Sequence, residues 1–363
     1  MANPFDTDQP RERGAKTFTR EEVRLANRNH GFALELMRHD ITPTGMHYLL
    51  THFDVPHLPD AEFRLSISGA VERPLTLTLD NIKSRPQTDL AVIMECAGNG
   101  RAVYDDRSRS MPWHYEAVGN SVWTGTPLID VLNEAGIQNS AKEIVFLGAD
   151  RGFDKGVEHN FGRSLTLEQV ADKNILLATG MNGLPLLPQH GAPLRLLVPG
   201  WYGMASVKWL TKIQVWERPF DGFQQVETYR YRKDSDDPGT GVQALRVKSL
   251  MIPPGFPDWY SRQRVVESGG QTIAGRAWTG SGAAITKVEF SSDMETWAEA
   301  TLFPKAERFA WQRWECHWNA EPGEYVLRCR ATDEFGNVQP LESPWDLAGF
   351  GNNVVQEVPV FVR

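Results

Sequence analysis

The local sequence pattern changes near residue 240, and this change limits the possible folds more than any other feature. Residues 233–241 (KDSDDPGTG) are charged and contain glycine and proline, which is typical of a linker between domains. Beyond this segment, about seven short strand patterns recur with turns between them and without a convincing helix. Such a series predicts a β-sandwich of the immunoglobulin type. A length of 363 residues also favours two domains.

The strand patterns of the second part are separated by turn signals. They cover residues 245–251, 272–278, 284–291, 297–302, 309–318, 324–332 and 354–362. One of the turns lies between Ser292 and Trp297, and hydrogen bonds of Asp293 and Thr296 would close it. We interpret this turn as structural rather than as a calcium site.

The first part mixes helix and strand patterns, which predicts an α+β arrangement. Thr19 and Glu22 form a capping box, so we expect a helix from there to about Asn29. We expect further helices at 126–136, with Thr126 as N-cap and Pro127 as first helical residue, and at 165–172. The expected strands are 62–70, 90–95, 143–147, 194–198 and 207–215.

Charge and hydropathy exclude several classes of partner. The net charge is −8 and the pI is near 5.7, so the chain is a poor non-specific ligand for nucleic acid or anionic lipid. No stretch approaches the ~20 apolar residues that cross a bilayer. Residues 1–18 form a polar arm without an apolar signal core or a twin-arginine run. We expect no nucleic-acid or membrane partner, and a cytoplasmic location, or a periplasmic one if an export signal has been removed.

Three cysteines are too few for a disulfide framework, and they form no CxxC or zinc pattern. Cys316 and Cys329 flank a turn signal at 321–323. We therefore expect them on neighbouring strands, as two reduced core thiols. Cys96 stands apart from both.

Cys96 follows a short apolar run and begins a segment rich in small residues, CAGNGR at 96–101. The end of a strand followed by such residues turns the backbone tightly and places Arg101 to point back toward the sulfur. A nearby cation favours the thiolate, which is the form that ligates metals or attacks electrophiles. Three interpretations stay open here: a structural thiol, a nucleophile with His114 as base, or one ligand of a metal that a cofactor also holds.

A series of motifs runs from about residue 40 to the end of the chain. In the first part they are ECAGNGR at 95–101, Trp113, SVWTGTPL at 121–128, MNG at 181–183, QHGAPLR at 189–195, VPG at 198–200 and VKWL at 207–210. In the second part they are GRAWTG at 275–280, WQRW at 311–314, RATDEFGNVQP at 330–340 and PWDL at 344–347. In this order and spacing, the motifs resemble those of the sulfite oxidase family of molybdenum enzymes.

The resemblance implies an α+β sulfite-oxidase-like molybdopterin domain followed by an all-β immunoglobulin-like dimerisation domain. The expected division is an N-terminal arm and helix over 1–40, a catalytic domain over 41–240 and a dimerisation domain over 241–363. It also implies a homodimer. Molybdenum would be bound by Cys96 and by two sulfurs of molybdopterin. The implied cofactor-binding residues are Tyr48, Thr51, His52, Asp150, His190, Arg195, Ser206 and Lys208.

The substrate pocket implied by the resemblance contains Arg101, Trp113 and Tyr229. Arg101 would bind the oxyanion, and Trp113 would form a wall of the pocket. Tyr229 would hydrogen-bond the equatorial oxygen and couple proton movement to electron release. Tyr231 is the alternative if the alignment shifts by two residues.

The chain departs from the pattern of animal sulfite oxidases at three arginine positions, which are Leu50, Gly100 and Ala348 here. Each missing cation removes a charge-assisted contact of ~1.5–3 kcal/mol to a sulfur oxyanion. The departures therefore weaken the expectation of tight sulfite binding. Candidate replacements for the lost charge are His114, Arg107 and Arg109.

The activity implied by the resemblance is oxidation of sulfite, or a related sulfur compound, to sulfate. Because no haem motif is present, the electrons would pass to an external acceptor such as cytochrome c. Two alternatives stay open. One is a molybdopterin enzyme of the same fold that acts on sulfane sulfur or reduces nitrate or an S-oxide, and the other is a cofactor-free binding protein.

Overall fold

The computed structural model describes residues 18–104 and 110–363, so the arm predicted for 1–18 lies almost wholly outside the described residues. Helices are short in the described part of the chain, and none of them is long and apolar enough to cross a membrane. The α-helices are α1 (Arg20–Arg28), α2 (Leu79–Lys83), α3 (Leu128–Ala135), α4 (Leu167–Val170) and α5 (Phe223–Val226). Single 3₁₀ turns occur at Leu34–Arg38, Thr44–Met46, Arg101–Val103, Pro188–His190 and Gly203–Ala205.

Strands make up most of the regular secondary structure in the described residues. In the first part they are β1 (Leu65–Gly69), β2 (Leu75–Leu77), β3 (Thr88–Glu95), β4 (Val118–Pro127), β5 (Glu143–Asp154), β6 (Val157–Thr166), β7 (Leu176–Met181), β8 (Leu184–Pro185), β9 (Arg195–Leu197), β10 (Leu210–Trp216), β11 (Arg230–Tyr231) and β12 (Thr240–Gly241). In the second part they are β13 (Lys248–Met251), β14 (Phe256–Pro257), β15 (Arg264–Val266), β16 (Gly269–Trp278), β17 (Ile285–Ser291), β18 (Ala298–Glu299), β19 (Thr301–Leu302), β20 (Gln312–Ala320), β21 (Gly323–Asp333) and β22 (Gln356–Val362).

Two sheets form the first part. One has the order β2-β1-β10-β5-β6, with β1 and β10 parallel. The other has the order β3-β4-β7-β8, with β9 paired to β7. Both sheets bury side chains in a common core, for example Ile67 and Phe146 of the first and Ile93 and Leu177 of the second. This places the end of β3 next to the loops that connect the strands of the other sheet.

The second part is a sandwich of two sheets, β13-β16-β20-β19 and β14-β15-β22-β21-β17-β18. Burial alternates residue by residue along β20 and β22, as a half-buried strand requires. The inward side chains of the two sheets share one core, which includes Trp314 of one sheet and Leu327 and Val360 of the other.

Several local predictions are confirmed. Thr19 accepts a hydrogen bond from the Glu22 backbone and Glu22 caps the Thr19 backbone in return, so the capping box begins α1. The Asp293 carboxylate accepts hydrogen bonds from the backbone and hydroxyl of Thr296, which closes the predicted turn.

Other local predictions are wrong. Thr126 does not cap α3, because its hydroxyl donates to Ile82 and the N-cap position is Pro127. The helix predicted at 165–172 is reduced to the single turn Leu167–Val170, because β6 runs to Thr166. The strand predicted at 297–302 divides into β18 and β19, which belong to the two different sheets of the sandwich.

The two sandwich cysteines are free thiols, as predicted, but they do not lie on paired strands. Cys316 is on β20 and Cys329 is on β21, and these strands belong to opposite sheets. The turn signal at 321–323 suggests a hairpin, but the chain crosses from one sheet to the other between β20 and β21.

A buried ion pair joins the first part to the sandwich. Lys248 on β13 is 1% exposed and donates to the carboxylate of Glu95, which is fully buried at the end of β3. The indole of Trp278 on β16 donates to the other oxygen of the same carboxylate at 3.0 Å. Nearby, Arg276 pairs with Asp40.

We predict that Lys248→Ala lowers the free energy of unfolding by about 3–5 kcal/mol, because it leaves the Glu95 charge buried without its cation. The measurement is the urea midpoint, followed by tryptophan fluorescence. The control is Arg218→Ala, which breaks the exposed Arg218–Asp221 pair and should leave the midpoint nearly unchanged. Equal midpoints for both variants would show that the Glu95–Lys248 pair does not hold the two parts together.

Candidate active site

The loop after β3 holds Cys96 in a fixed position. The Cys96 N–H donates to the Ala117 carbonyl at 2.9 Å, and the Cys96 carbonyl accepts from the Asn99 N–H at 2.9 Å. The Asn99 side chain donates to Glu95 and accepts from the Ala117 N–H. The thiol is therefore fixed from both sides of the turn by hydrogen bonds.

Gly98 and Gly100 are needed for the path of this loop. A Cβ atom at Gly98 would lie 2.7 Å from the guanidinium of Arg101, so only glycine lets Arg101 fold back toward the loop. Gly100 has a φ of +92°, in the left-handed region, and packs against Asn352. An arginine at position 100 would be strained in this conformation, which gives a physical reason for one of the departures.

Two opposed effects act on the Cys96 thiol. Burial raises its pKa, while the positive charge of Arg101 and the backbone N–H of Gly98 oppose that rise. Arg101 itself is held by hydrogen bonds from Nε to the Ala348 carbonyl at 2.6 Å and from Nη1 to the Met111 carbonyl at 3.0 Å. A thiol of this kind becomes a thiolate most readily when a metal replaces its proton.

Cys96 lies in the wall of a cavity, which we call the inner cavity. Strand ends and loops of both first-part sheets form its walls. Nine of the residues predicted for the site line it, namely Tyr48, His52, Cys96, Asp150, His190, Arg195, Ser206, Lys208 and Tyr229.

The inner cavity contains two cations, the buried Arg195 and the half-buried Lys208. Arg195 donates to the carbonyls of His190 and Ser206, and Lys208 donates to the carbonyls of Leu50 and Gln189. In the part of the chain that the structure describes, neither cation forms an ion pair with a carboxylate. Burial lowers the pKa of Lys208 to about 7 and that of Arg195 to about 10. An anionic ligand would reverse this effect, because it would stabilise both charged forms.

Burial also shifts the pKa values of two histidines and an aspartate in the inner cavity. It lowers the pKa values of His52 and His190 to about 3, so both imidazoles are neutral at pH 7. Burial raises the pKa of Asp150 to about 6. Three buried polar atoms around the cavity have no hydrogen-bond partner among the described residues: Asp150 Oδ1, Arg195 Nε and His47 Nε2. They are available to a polar ligand.

Tyr229 connects the inner cavity to the second part of the chain. Its hydroxyl lies 2.6 Å from His52 Nε2, and its ring stacks on Phe350 at a centroid distance of 5.1 Å. Its φ of 24° is unusual for a residue with a side chain and indicates local strain. Tyr231, the alternative, packs under Arg246 and does not line the inner cavity.

The structure does not bring every predicted residue to the inner cavity. Thr51 is buried behind the wall, where its N–H donates to Asn29. Trp113 contacts Tyr48 edge to face and lowers the pKa of the Cys96 thiol, but it does not line the cavity. Arg101 does not line the inner cavity either and lies instead in the wall of a second cavity. His114 is exposed on the surface. Arg107 and Arg109 lie outside the described residues.

Sequence reasoning missed four residues near the site. His47, Met94 and Phe161 line the inner cavity, and Arg163 lies 5.7 Å from the Tyr229 ring. Phe161 and Arg163 are on β6, which was not predicted as a strand. The strand was missed because the buried Arg163 interrupts its apolar pattern. His47 directly precedes Tyr48 in the sequence, and this neighbouring position is the signal that would have identified it.

The residues of the inner cavity fit a cofactor that carries an anionic group and polar N–H groups. Arg195 and Lys208 are suited to a phosphate, and Asp150 can accept from ring nitrogens. In the described part of the chain, no group of three or more His, Cys, Asp and Glu side chains is arranged to hold a metal ion. A metal at Cys96 would therefore need further ligands from the cofactor itself.

Comparison with protein families agrees with this fit. The family model described as an oxidoreductase molybdopterin binding domain matches residues 52–224. The one described as a Mo-co oxidoreductase dimerisation domain matches residues 240–362. Fold and site thus define a protein of the class that binds a molybdopterin cofactor.

Curated relatives are sulfite oxidases and nitrate reductases. The chain is 32% identical to the mitochondrial sulfite oxidase of Drosophila melanogaster over 344 residues, which cover 88% of this chain and 59% of the relative. It is 32% identical to the NADH nitrate reductase of Ulva prolifera over 342 residues, which cover 86% of this chain and 39% of the relative. The chain belongs to the sulfite oxidase family of molybdopterin oxidoreductases.

A solved structure extends the match to nearly the whole fold. It is the sulfane dehydrogenase SoxCD from Paracoccus pantotrophus, with a TM-score of 0.79 and 25% identity over 98% of this chain and 94% of that chain. The chain spans only about 40–60% of the length of the two curated relatives described above.

We predict that the cofactor-free protein binds sulfate about tenfold more weakly at pH 8 than at pH 6. Above pH 6 Asp150 gains a negative charge, and above about pH 7 Lys208 loses its positive charge, so both changes oppose anion binding. The charge of sulfate itself is constant over this range. Calorimetric titration provides the measurement.

Lys208→Gln should bind sulfate weakly at both pH values, so most of the difference in affinity between pH 6 and pH 8 should disappear. Lys212→Gln is the matched control, because Lys212 is exposed on β10 and should leave the pH dependence unchanged. The same affinity at pH 6 and pH 8 in the unmodified protein would contradict the prediction.

Proposed function

We propose that this protein oxidises sulfite, or a related sulfur compound, to sulfate and passes the electrons to an external acceptor of the cytochrome c type. The balanced reaction is SO₃²⁻ + H₂O → SO₄²⁻ + 2H⁺ + 2e⁻. The supporting observation is one buried thiol, Cys96, between a cavity fitted to an anionic cofactor and the guanidinium of Arg101. Sulfite oxidases among the curated relatives and a sulfane dehydrogenase among the solved structures favour sulfur chemistry.

In this proposal, Cys96 is the protein ligand of molybdenum, and the bound cofactor supplies the oxygen transfer and accepts two electrons. Arg195 and Lys208 bind the phosphate of the pterin. The remaining contacts to the pterin come from Tyr48, His52, Asp150, His190 and Ser206. Thr51 contributes indirectly, because its bond to Asn29 fixes the wall on which His52 lies.

Arg101 positions the substrate oxyanion, and its bonds to Ala348 and Met111 keep the guanidinium in place. Tyr229 holds a proton at its hydroxyl, and the neutral imidazole of His52 is placed to exchange it. Trp113 packs behind Tyr48 and keeps water from the thiol. Leu50 and Ala348 provide apolar surface where animal relatives carry arginine, so the anion depends more on Arg101 here.

We predict that Cys96→Ser abolishes both molybdenum retention and sulfite-dependent reduction of cytochrome c or ferricyanide. The serine hydroxyl is a much weaker ligand for the metal than a thiolate. Cys316→Ser is the matched control, since Cys316 is a sandwich thiol far along the chain from the cavity. Both proteins are made in a host that synthesises molybdopterin, and metal content is measured by elemental analysis.

Retention of stoichiometric molybdenum by Cys96→Ser would contradict the ligand assignment. If the unmodified protein contains molybdenum but does not turn over sulfite, the cofactor assignment stands and the proposed substrate is wrong. The alternative activities are sulfane oxidation and reduction of nitrate or an S-oxide, and each is assayed with the same preparation. Absence of both metal and pterin would favour a cofactor-free binding protein.

The second part is proposed to be an immunoglobulin-like dimerisation domain over 241–363, after a catalytic domain over 41–240 and an N-terminal segment over 1–40. Support comes from its two facing antiparallel sheets, in which only β15 and β22 pair in parallel, and from the dimerisation family model. Three aromatic side chains, Phe256, Trp259 and Tyr260, are more than three-quarters exposed on this part. Such a patch is typical of a surface that a partner covers.

We predict a sedimentation mass twice the 40.9 kDa of one chain. Trp259→Glu places a charge in the aromatic patch and should shift the protein toward the monomer, whereas Phe153→Glu, at an exposed hairpin tip of the first part, should not. A single-chain mass for the unmodified protein at micromolar concentration would count against the homodimer.

A further inference from the structure

A second cavity, of about 290 Å³, lies next to Arg101 and outside the cofactor site. We call it the outer cavity. Leu347, Ala348 and Phe350 form its apolar side. Sulfite has four non-hydrogen atoms, so contact with Arg101 alone uses a small fraction of this space, and the remaining volume is enough for a short organic chain.

A stacked pair of rings separates the two cavities, with Tyr229 lining the inner cavity and Phe350 lining the outer one. Phe350 stacks on Tyr229 at 5.1 Å, and the guanidinium carbon of Arg101 lies 5.3 Å from the centre of the same ring. Arg101 therefore lies at the side of the outer cavity where Phe350 meets Tyr229 of the inner cavity.

The far wall of the outer cavity is cationic. Arg230 donates to the carbonyls of Pro238 and Gly239, and Arg232 donates to that of Val226. These bonds hold both guanidinium groups in place without neutralising them, because neither forms an ion pair with a carboxylate within residues 18–104 and 110–363. A third cation, Lys155, lies at the rim.

Two carboxylates, Asp154 and Glu227, also line the outer cavity. Among the described residues, four cationic side chains, Arg101 included, line the cavity together with these two carboxylates. The excess of cationic over anionic side chains favours an anionic ligand, and the apolar side favours a ligand with a carbon chain between its charged ends.

We propose that the outer cavity holds the organic part of an organic sulfinate, R–SO₂⁻, whose R group ends in a second anionic group. Arg101 binds the sulfinate end, the chain lies along Leu347 and Phe350, and Arg230 and Arg232 bind the distal anion. This inference rests on the proposed function, because a sulfinate shares with sulfite the lone pair on sulfur that receives oxygen.

The reaction balances as R–SO₂⁻ + H₂O → R–SO₃⁻ + 2H⁺ + 2e⁻. Sulfur is oxidised, one S–O bond forms and the C–S bond stays intact. The two electrons leave to the same one-electron acceptor as in sulfite oxidation. A sulfinate end carries a single charge, so it needs fewer cations than the sulfite dianion does.

The test compares sulfite, methanesulfinate and 3-sulfinopropanoate, which bears a carboxylate at the far end of its chain. In the unmodified enzyme, kcat/KM for 3-sulfinopropanoate should exceed that for methanesulfinate at least tenfold. In parallel, calorimetry compares binding of the unreactive products 3-sulfopropanoate and methanesulfonate, and the first should bind at least tenfold more tightly.

Arg232→Gln should reduce both ratios at least fivefold, because the distal carboxylate loses a charge-assisted bond. Arg218→Gln is the control, since Arg218 is an exposed arginine outside both cavities and should leave both ratios unchanged. The two ratios in the unmodified protein decide the question even if the Arg232 variant does not fold.

Ratios near one, with sulfite turned over, would overturn the inference and leave the proposed function intact. A sulfinate ratio that is high in the unmodified enzyme and unchanged in Arg232→Gln would also overturn the assigned anion contact. Tighter binding of 3-sulfopropanoate by a protein that oxidises neither sulfite nor sulfinates would reject the proposed function and the sulfinate reaction, and would retain only the anion site.

Discussion

The buried carboxylate of Glu95 is the group on which both the joining of the two parts and the position of Cys96 depend. It accepts hydrogen bonds from Lys248 and Trp278 of the sandwich and from Asn99 of the cysteine loop. A buried charge is tolerated only when its partners are in place, so these contacts form together or not at all. Because Glu95 directly precedes Cys96 in the chain, the geometry of the thiol is fixed by residues of the second part.

The second part also closes the site from the opposite side, through residues 346–352. The Asp346 carboxylate accepts from the backbone N–H groups of Arg232, Ala348 and Phe350, which folds this segment over the first part. Two further hydrogen bonds attach it to the cysteine loop, from the Gly351 N–H to the Ala97 carbonyl and from Asn352 to the Gly100 carbonyl. The surface that faces a substrate is therefore built by both parts, and substitutions in the second part can change specificity without touching the cofactor residues.

Local features of this fold could be predicted from the sequence, and long-range ones could not. The capping box of α1 and the strands at 309–318 and 354–362 were predicted from neighbouring residues, and the structure confirms them as the start of α1 and as β20 and β22. The crossing of the chain between sheets after Cys316 depends on which strands pair, and a local pattern does not contain that information. The cofactor residues are separated by up to 160 positions, from Tyr48 to Lys208, and only resemblance to a family connected them before the structure placed them together.

The electrostatics of the inner cavity couple cofactor binding to folding. Arg195 is buried and Lys208 is half-buried, and neither has a carboxylate partner among the described residues. Their lowered pKa values reflect the cost of desolvating these charges. An anionic cofactor binds only the folded arrangement, because the unfolded chain does not hold the two cations together. Binding must then stabilise the folded state by an amount that grows with cofactor concentration and affinity. The two cations that make the cofactor-free fold less stable are therefore the ones that favour binding of a ligand with a phosphate. The imidazoles of His52 and His190 are neutral, so they can hydrogen-bond such a ligand without repelling the two cations.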